Sequence, residues 1–283
     1  MPRIHVVTDS GSDLPKSTRG QYNIHVVPLS IQFGEEIYRD GVELSADQFY
    51  HRLTESADLP STCQPSPADF VKCYEEISEP GDQIISVHLS SKLSGTYQSA
   101  VLASTMVEDR DIHVIDTKSA SLGIGLVVVA VAEAVQNGAS VEEAVALAER
   151  VIDELKVYFV VDTLEYLRRN GRIGAASALV GSLLNIKPVL TLENGIVTPF
   201  DKVRGKAKAV RKIFDILGDY IKARPGQRLR IGLSHGNVLH EAQQLVDRIK
   251  SEFAGNDLIV ELVGPTIGVH AGPGTIALMW YPM

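Results

Sequence analysis

Short apolar runs rich in β-branched residues alternate along this chain with longer helical patterns, and that alternation constrains the fold more than any other feature. The β-type runs occupy residues 4–8, 24–33, 83–89, 112–116, 157–161, 186–192, 195–203, 229–234, 258–263 and 275–280. Helical patterns cover residues 46–54, 67–77, 95–107, 122–137, 141–154, 206–220 and 239–253. Strands joined through helices pair in parallel, so the pattern specifies an α/β protein whose first sheet is mainly parallel. In the second half Glu193-Asn194-Gly195 separates two β runs, and Asn-Gly in that setting signals a hairpin, which makes the second sheet mixed. A chain of 283 residues exceeds the common size of one domain. The expected division is an N-terminal α/β/α domain over residues 1–155 and a C-terminal mixed α/β domain over residues 156–283, with residues 29–61 a small β excursion from the first.

Composition narrows the function. The 45% hydrophobic and 22% charged content is that of a globular protein. A net charge of −8 argues against nucleic acid as a partner, because phosphate binding needs a basic surface. The most apolar run, residues 122–135, is interrupted by Glu133 and is short for a bilayer, so no integral membrane segment is expected. The N-terminal residues turn polar too soon for a signal peptide, and Cys63 and Cys73 carry no framework of disulfides. The expected location is the cytoplasm.

The motifs of common cofactor chemistry are missing. Residues 8–15 hold one glycine after the first strand where a dinucleotide fingerprint has three, and no Walker sequence occurs. The eight histidines show no metal-ligand spacing. The expectation is therefore no metal, no cofactor and no catalytic centre. One hydrolase signal competes: Gly232-Leu233-Ser234-His235-Gly236 matches the G-x-S-x-G elbow between a strand and a helix, and His270 follows in the order of an α/β-hydrolase. A serine esterase using Ser234 and His270 is the alternative reading.

What the chain does offer is a place for an anion. Residues 84–100 read as a buried strand, a hydroxyl-rich turn and the first turn of a helix. Free backbone N–H groups, Ser91, Ser94, Thr96 and the amides around Gly95 converge there, and the helix dipole adds partial positive charge. A second hydroxyl-rich loop runs through Thr62 and Cys63 to Ser66, an N-cap before Pro67. Near the C-terminus, residues 264–274 wrap His270 in glycines and prolines and read as a rigid turn.

The order and identity of these motifs resemble the DegV family. The resemblance is carried by residues 8–15 (Thr-Asp-Ser-Gly-Ser-Asp-Leu-Pro), 61–67 (Ser-Thr-Cys-Gln-Pro-Ser-Pro) and 90–97 (Ser-Ser-Lys-Leu-Ser-Gly-Thr-Tyr). It continues through 164–173 (Leu-Glu-Tyr-Leu-Arg-Arg-Asn-Gly-Arg-Ile), 184–188 (Leu-Asn-Ile-Lys-Pro) and 268–274 (Gly-Val-His-Ala-Gly-Pro-Gly). It implies two α/β domains with a long-chain fatty acid such as palmitate held between them. It further implies that the carboxylate meets Thr62 and Ser94, with Cys63 and Gly95 beside them and His270 in the same hydrogen-bond network. Cys63 stands where relatives commonly have serine. Some members present the acid to a separate fatty-acid kinase that makes acyl phosphate, and the resemblance places Arg172 at that partner surface, on a turn that the Asn170-Gly171 pair marks as a surface corner.

The basic residues Lys202, Arg204, Lys206, Lys208, Arg211 and Lys212 stand out in an acidic chain. They read as a solvated helix face; docking of an acidic partner or a transient membrane contact is the other reading.

Overall fold

A computed structural model describes residues 2–56, 59–180 and 186–283. The first half runs β1 (Ile4–Asp9), α1 (Lys16–Gln21), β2 (Ile24–Val27), β3 (Ser30–Phe33), β4 (Glu36–Arg39), α2 (Ala46–Glu55) and β5 (Ser61–Cys63). It continues through α3 (Pro67–Ile77), β6 (Gln83–His88), α4 (Thr96–Ser104), β7 (Asp111–Asp116), α5 (Leu122–Gln136) and α6 (Val141–Glu154). The second half runs β8 (Lys156–Val160), α7 (Glu165–Arg169), β9 (Ile186–Glu193), β10 (Ile196–Arg204) and α8 (Lys206–Lys222). It ends with β11 (Leu229–His235), α9 (Leu239–Glu252), β12 (Asp257–Leu262), α10 (Pro265–Ala271) and β13 (Ile276–Pro282). The first two residues of the 184–188 motif lie outside the described residues.

The first sheet has the order β2-β1-β6-β7 and every pairing in it is parallel. The second has the order β10-β9-β8-β13-β11-β12, in which β11 and β12 pair in parallel and the other neighbours are antiparallel. The β9–β10 hairpin turns at Asn194-Gly195, both with positive φ, as a tight two-residue turn requires.

Local sequence explains the helix starts. Ser45, Ser66 and Ser140 each close a capping box with the residue three positions on. α5 is buried along its length from Leu122 to Ala132, as a helix apolar on every side must be. It contacts β1 and β6 of the parallel sheet and β11 and β13 of the mixed one. One core cluster accordingly joins Val6, Ile85 and Val87 to Val157, Ala277 and Met279. Burying a Leu or Val side chain contributes about 1.5–3 kcal/mol, so α5 is the apolar bridge between the sheets.

Two expectations need correction. The run at residues 24–33 is not one strand: Pro28 lacks the N–H a ladder needs, β2 stops before it, and β3 joins β4 and β5 in a separate antiparallel sheet. The segment around His270 is not a turn but the helix α10. Pro265 sits at its start, and Gly272, with φ of 75°, ends it.

Candidate functional site

A cavity open to solvent lies between the carboxyl edge of the parallel sheet and the face of the mixed sheet. Its lining, mostly apolar with a few polar side chains, is that of a small-molecule site. Leu29, Leu89 and Leu93 line it from one side; Val157, Phe159 and Met279 line it from the other. Helix α10 runs along it, presenting Thr266 and Ile267 from its first turn and His270 and Ala271 from its last.

The polar groups gather at the C-terminal end of α10. Thr62, in the middle of β5, pairs with Ile31 of β3 and places its Oγ1 2.9 Å from His270 Nε2. Burial, with the Arg172 charge as a second cause, holds the imidazole down to about 3, so it is neutral at neutral pH. Its Nδ1 is buried without a partner among the described residues. An orphaned N–H is a less acceptable group than an orphaned ring lone pair, so the proton belongs on Nε2, donated to Thr62. The threonine hydroxyl then keeps its own proton for an acceptor in the cavity.

The turn after β6 supplies the facing wall. Ser90 O accepts from Leu93 N at 2.9 Å and Ser94 N at 3.0 Å, which folds the chain back on itself. Ser94 faces the cavity, with its Oγ 2.9 Å from Thr96 Oγ1 and accepting from Thr96 N at 3.3 Å. The helix cap proper is Gly95, which makes no side-chain cap bond. Gly95 itself does not line the cavity: the Gln64 carboxamide lies over its α carbon.

Cys63 also stays outside. Side chains alternate along a strand, so with Thr62 turned inward Cys63 is exposed, and it is not part of the cavity wall. Arg172 differs from expectation in the opposite direction. The Asn-Gly turn is present, yet the guanidinium is half-buried and lines the cavity. Its Nε donates to Leu93 O at 3.0 Å and its Nη1 to Asn170 O at 2.7 Å. Turn chemistry gave the bend; the packing that directs the side chain inward is tertiary.

Three further hydroxyls lie in the cavity wall, and each has its proton committed elsewhere. Ser121 donates to Asp13 Oδ2 at 2.6 Å, Thr266 to Asp40 Oδ2 at 2.5 Å, and Thr275 to the carbonyls of Ala271 and Gly272. Asp40 Oδ2 also accepts from Thr266 N, and Asp13 Oδ1 from Gly264 N, so the two carboxylates hold the start of α10. Burial pushes Asp40 up to about 6 and raises Asp13 well above its ordinary value; their mutual repulsion adds to the Asp13 rise.

The hydrolase arrangement does not form. Ser234 sits fully buried inside β11 rather than on an elbow, and its hydroxyl contacts Ser121 at 3.0 Å. His270 is committed to Thr62. Of the basic cluster, Lys206 pairs with Asp162 and Glu241 and Lys212 with Asp201, while Lys202, Arg204, Lys208 and Arg211 are exposed and make no ion pair among the described residues. No helix among the described residues is long and apolar enough to cross a membrane.

The family model described as "Uncharacterised protein, DegV family" matches residues 3–283. Protein DegV of Bacillus subtilis is 36% identical over 278 residues, covering 98% of each chain. The solved structure of that Bacillus subtilis DegV, described as a fatty acid binding protein, superposes with a TM-score of 0.92 at 35% identity over the whole of both chains. A DegV family protein from Thermus thermophilus, described by its fatty acid binding, superposes with a TM-score of 0.90 at 39% identity over 99% of this chain and 100% of its own. A stearic acid-binding protein from Eubacterium ventriosum reaches a TM-score of 0.90 at 26% identity, over 100% of this chain and 98% of its own. Fold and sequence thus match these proteins along the whole chain, and this chain belongs to the DegV family.

Proposed function

We propose that this chain is a cytoplasmic carrier that binds a long-chain fatty acid such as palmitate in the cavity between residues 1–155 and 156–283. The carboxylate takes hydrogen bonds from Thr62 and Ser94, with His270 fixing the Thr62 proton. The observation that carries the reading is the split character of one cavity: two hydroxyls with capacity toward the ligand at one end, and apolar surface along the rest. Fatty acid binding by the relatives from Bacillus subtilis and Thermus thermophilus supports it.

The energetics fit a carrier. Burying an alkyl chain gains about 0.8 kcal/mol per CH₂, so affinity comes from the tail, less the cost of association. The head group needs enough hydrogen bonds to replace its lost water. The reading requires no cofactor and no catalytic residue. Its finer form is presentation of the bound acid to a separate kinase for acyl-phosphate formation, with Arg172 beside the head group and one carboxylate oxygen left to a phosphoryl donor.

Native mass spectrometry of the purified protein, with extraction of co-purified lipid, tests the ligand class: a long-chain fatty acid at one per chain is expected. In a displacement titration, Thr62→Val combined with Ser94→Ala weakens binding, each lost charge-assisted bond costing about 1.5–3 kcal/mol. Unchanged affinity in the double variant would remove the head-group assignment. For the kinase step, Arg172→Ala lowers acyl-phosphate formation, with a cognate kinase and ATP supplied, by a larger factor than it lowers lipid affinity; a parallel fall in both assigns Arg172 to the lipid site alone.

A further inference from the structure

One short turn touches both walls of the head-group end. Asn170 ends α7, and its Nδ2 donates to Val269 O at 3.1 Å, the carbonyl next to His270 in α10, and to Tyr166 O at 3.3 Å. The last carbonyls of a helix lack partners within it. In α10, Gly268 O receives Gly272 N, and Ala271 O receives the Thr275 hydroxyl, while Val269 O receives the Asn170 side chain. Asn170 is thus a cap supplied by another helix to the turn that carries His270. Tyr166, on the same face of α7, lies against Gly272 so closely that a Cβ there would collide with its ring.

The other half of the turn reaches the opposite wall. Arg172 N bonds Leu167 O at 2.9 Å, and the positive φ of Gly171 brings the chain around. Arg172 then donates to Leu93 O, the carbonyl next to Ser94, and returns to Asn170 O. Val269 adjoins His270, the partner of Thr62; Leu93 adjoins Ser94. The turn therefore bonds the neighbour of His270, which positions Thr62, and the neighbour of Ser94.

From this juxtaposition we infer that Asn170 is a positioning residue for the fatty-acid head group: through Val269 O it sets where His270 and Thr62 stand relative to Ser94. The inference rests on the fatty-acid reading above. It concerns the acid head alone, because the tail contacts other walls. A clamp of this kind raises the preference for a carboxylate, whose two oxygens need both walls in register, over a ligand with the same tail and a single hydroxyl.

The experiment measures palmitate and hexadecanol affinity side by side for the wild type, Asn170→Ala and Asn170→Asp, with the thermal midpoint of each. Asn170→Ala keeps the backbone carbonyl that receives Arg172 and removes only the side-chain donor. Asn170→Asp keeps the shape and sets a carboxylate against Val269 O. The expected result is a palmitate-to-hexadecanol preference reduced by about fivefold in Asn170→Ala, the size of one hydrogen bond, with hexadecanol affinity unchanged. A larger reduction is expected in Asn170→Asp. The ring ¹⁵N shifts of His270 move in both variants. If both ligands weaken equally, or the preference and the His270 shifts stay as in the wild type, Asn170 is a structural cap only and the inference fails while the fatty-acid reading stands. If the wild type binds neither ligand, the reading itself falls and the inference with it.

Discussion

The two ends of α10 contain the same kinds of side chain and do opposite things with them. At the start of the helix, Thr266 and the neighbouring Ser121 give their protons to Asp40 and Asp13, so they present the cavity with carbon and with oxygen already engaged. At the end of the helix, Thr62 faces a neutral histidine and Ser94 faces another hydroxyl, Thr96, and among the described residues neither bonds a carboxylate that would take its proton. A hydroxyl in a cavity wall is therefore not polar by residue type. It is polar to the ligand only where no stronger acceptor inside the protein has taken its proton. On the fatty-acid reading proposed above, that difference assigns the head group to one end of the cavity and the hydrocarbon chain to the rest.

The largest effect should follow from breaking the buried end. Asp40→Ala strands the Thr266 N–H in a buried site and leaves the Thr266 hydroxyl only the longer contact to Ser10 Oγ, at 3.3 Å. Each orphaned donor costs about 1–3 kcal/mol. Chemical denaturation should show a loss of about 2–4 kcal/mol, one orphaned donor and one lost hydrogen bond. A variant as stable as the wild type would mean that Asp40 is not the anchor of α10.

A smaller effect, on ligand rather than stability, is expected from Thr62→Val. The change keeps shape and β propensity in β5 and removes one hydroxyl from the head-group end. Palmitate affinity should fall by about 1.5–3 kcal/mol with only a small change in thermal midpoint. If stability falls and affinity does not, Thr62 belongs to the structural class of Thr266, and the contrast between the two ends disappears.

The sheets and most helices were legible because their signals are local: period-2 apolar runs, capping boxes and Asn-Gly at a hairpin. α10 was misread although its signals were present, since Pro265 at a helix start and Gly272 at a helix end also resemble loop punctuation. The hydroxyl turn was legible as a strand-to-helix junction, and it brings Ser94 to the cavity; Cys63 was grouped with Thr62 for its backbone amide, and alternation along β5 turns its side chain away from the cavity. Arg172 was read as a surface-corner side chain and instead lines the cavity, and the Asp13–Asp40 pair was not anticipated. The direction of a guanidinium leaving a turn, and the meeting of residues 13 and 40 with residues 264 and 266, are decided by packing between distant segments.

The last predicted effect is a difference of sign with pH. Asp40 in the folded protein titrates at about 6 rather than 3.8, so between these values the folded chain holds a proton that the unfolded chain has lost. That contribution to stability is present at low pH and is lost as pH rises toward 6. His270 does the reverse: at about 3 folded against 6.5 unfolded, it leaves the unfolded chain holding the extra proton. Its contribution is present above 6.5 and is lost as pH falls toward 3. Over the shared window of pH 4–6 the two oppose each other, each with a slope of at most about 1.4 kcal/mol per pH unit. Asp13, raised by burial and by Asp40, acts in the same direction as Asp40, and Asp9 and Glu261 add further negative charge around the pair. Asp40→Asn should therefore lose stability more steeply than the wild type on acidification from pH 6 to 4. His270→Gln should shift the slope the other way. Denaturation curves collected across that range decide it: if the Asp40→Asn and wild-type curves run parallel, Asp40 does not change its charge there, and the buried end of α10 is held by a carboxylate that stays ionised like any on the surface.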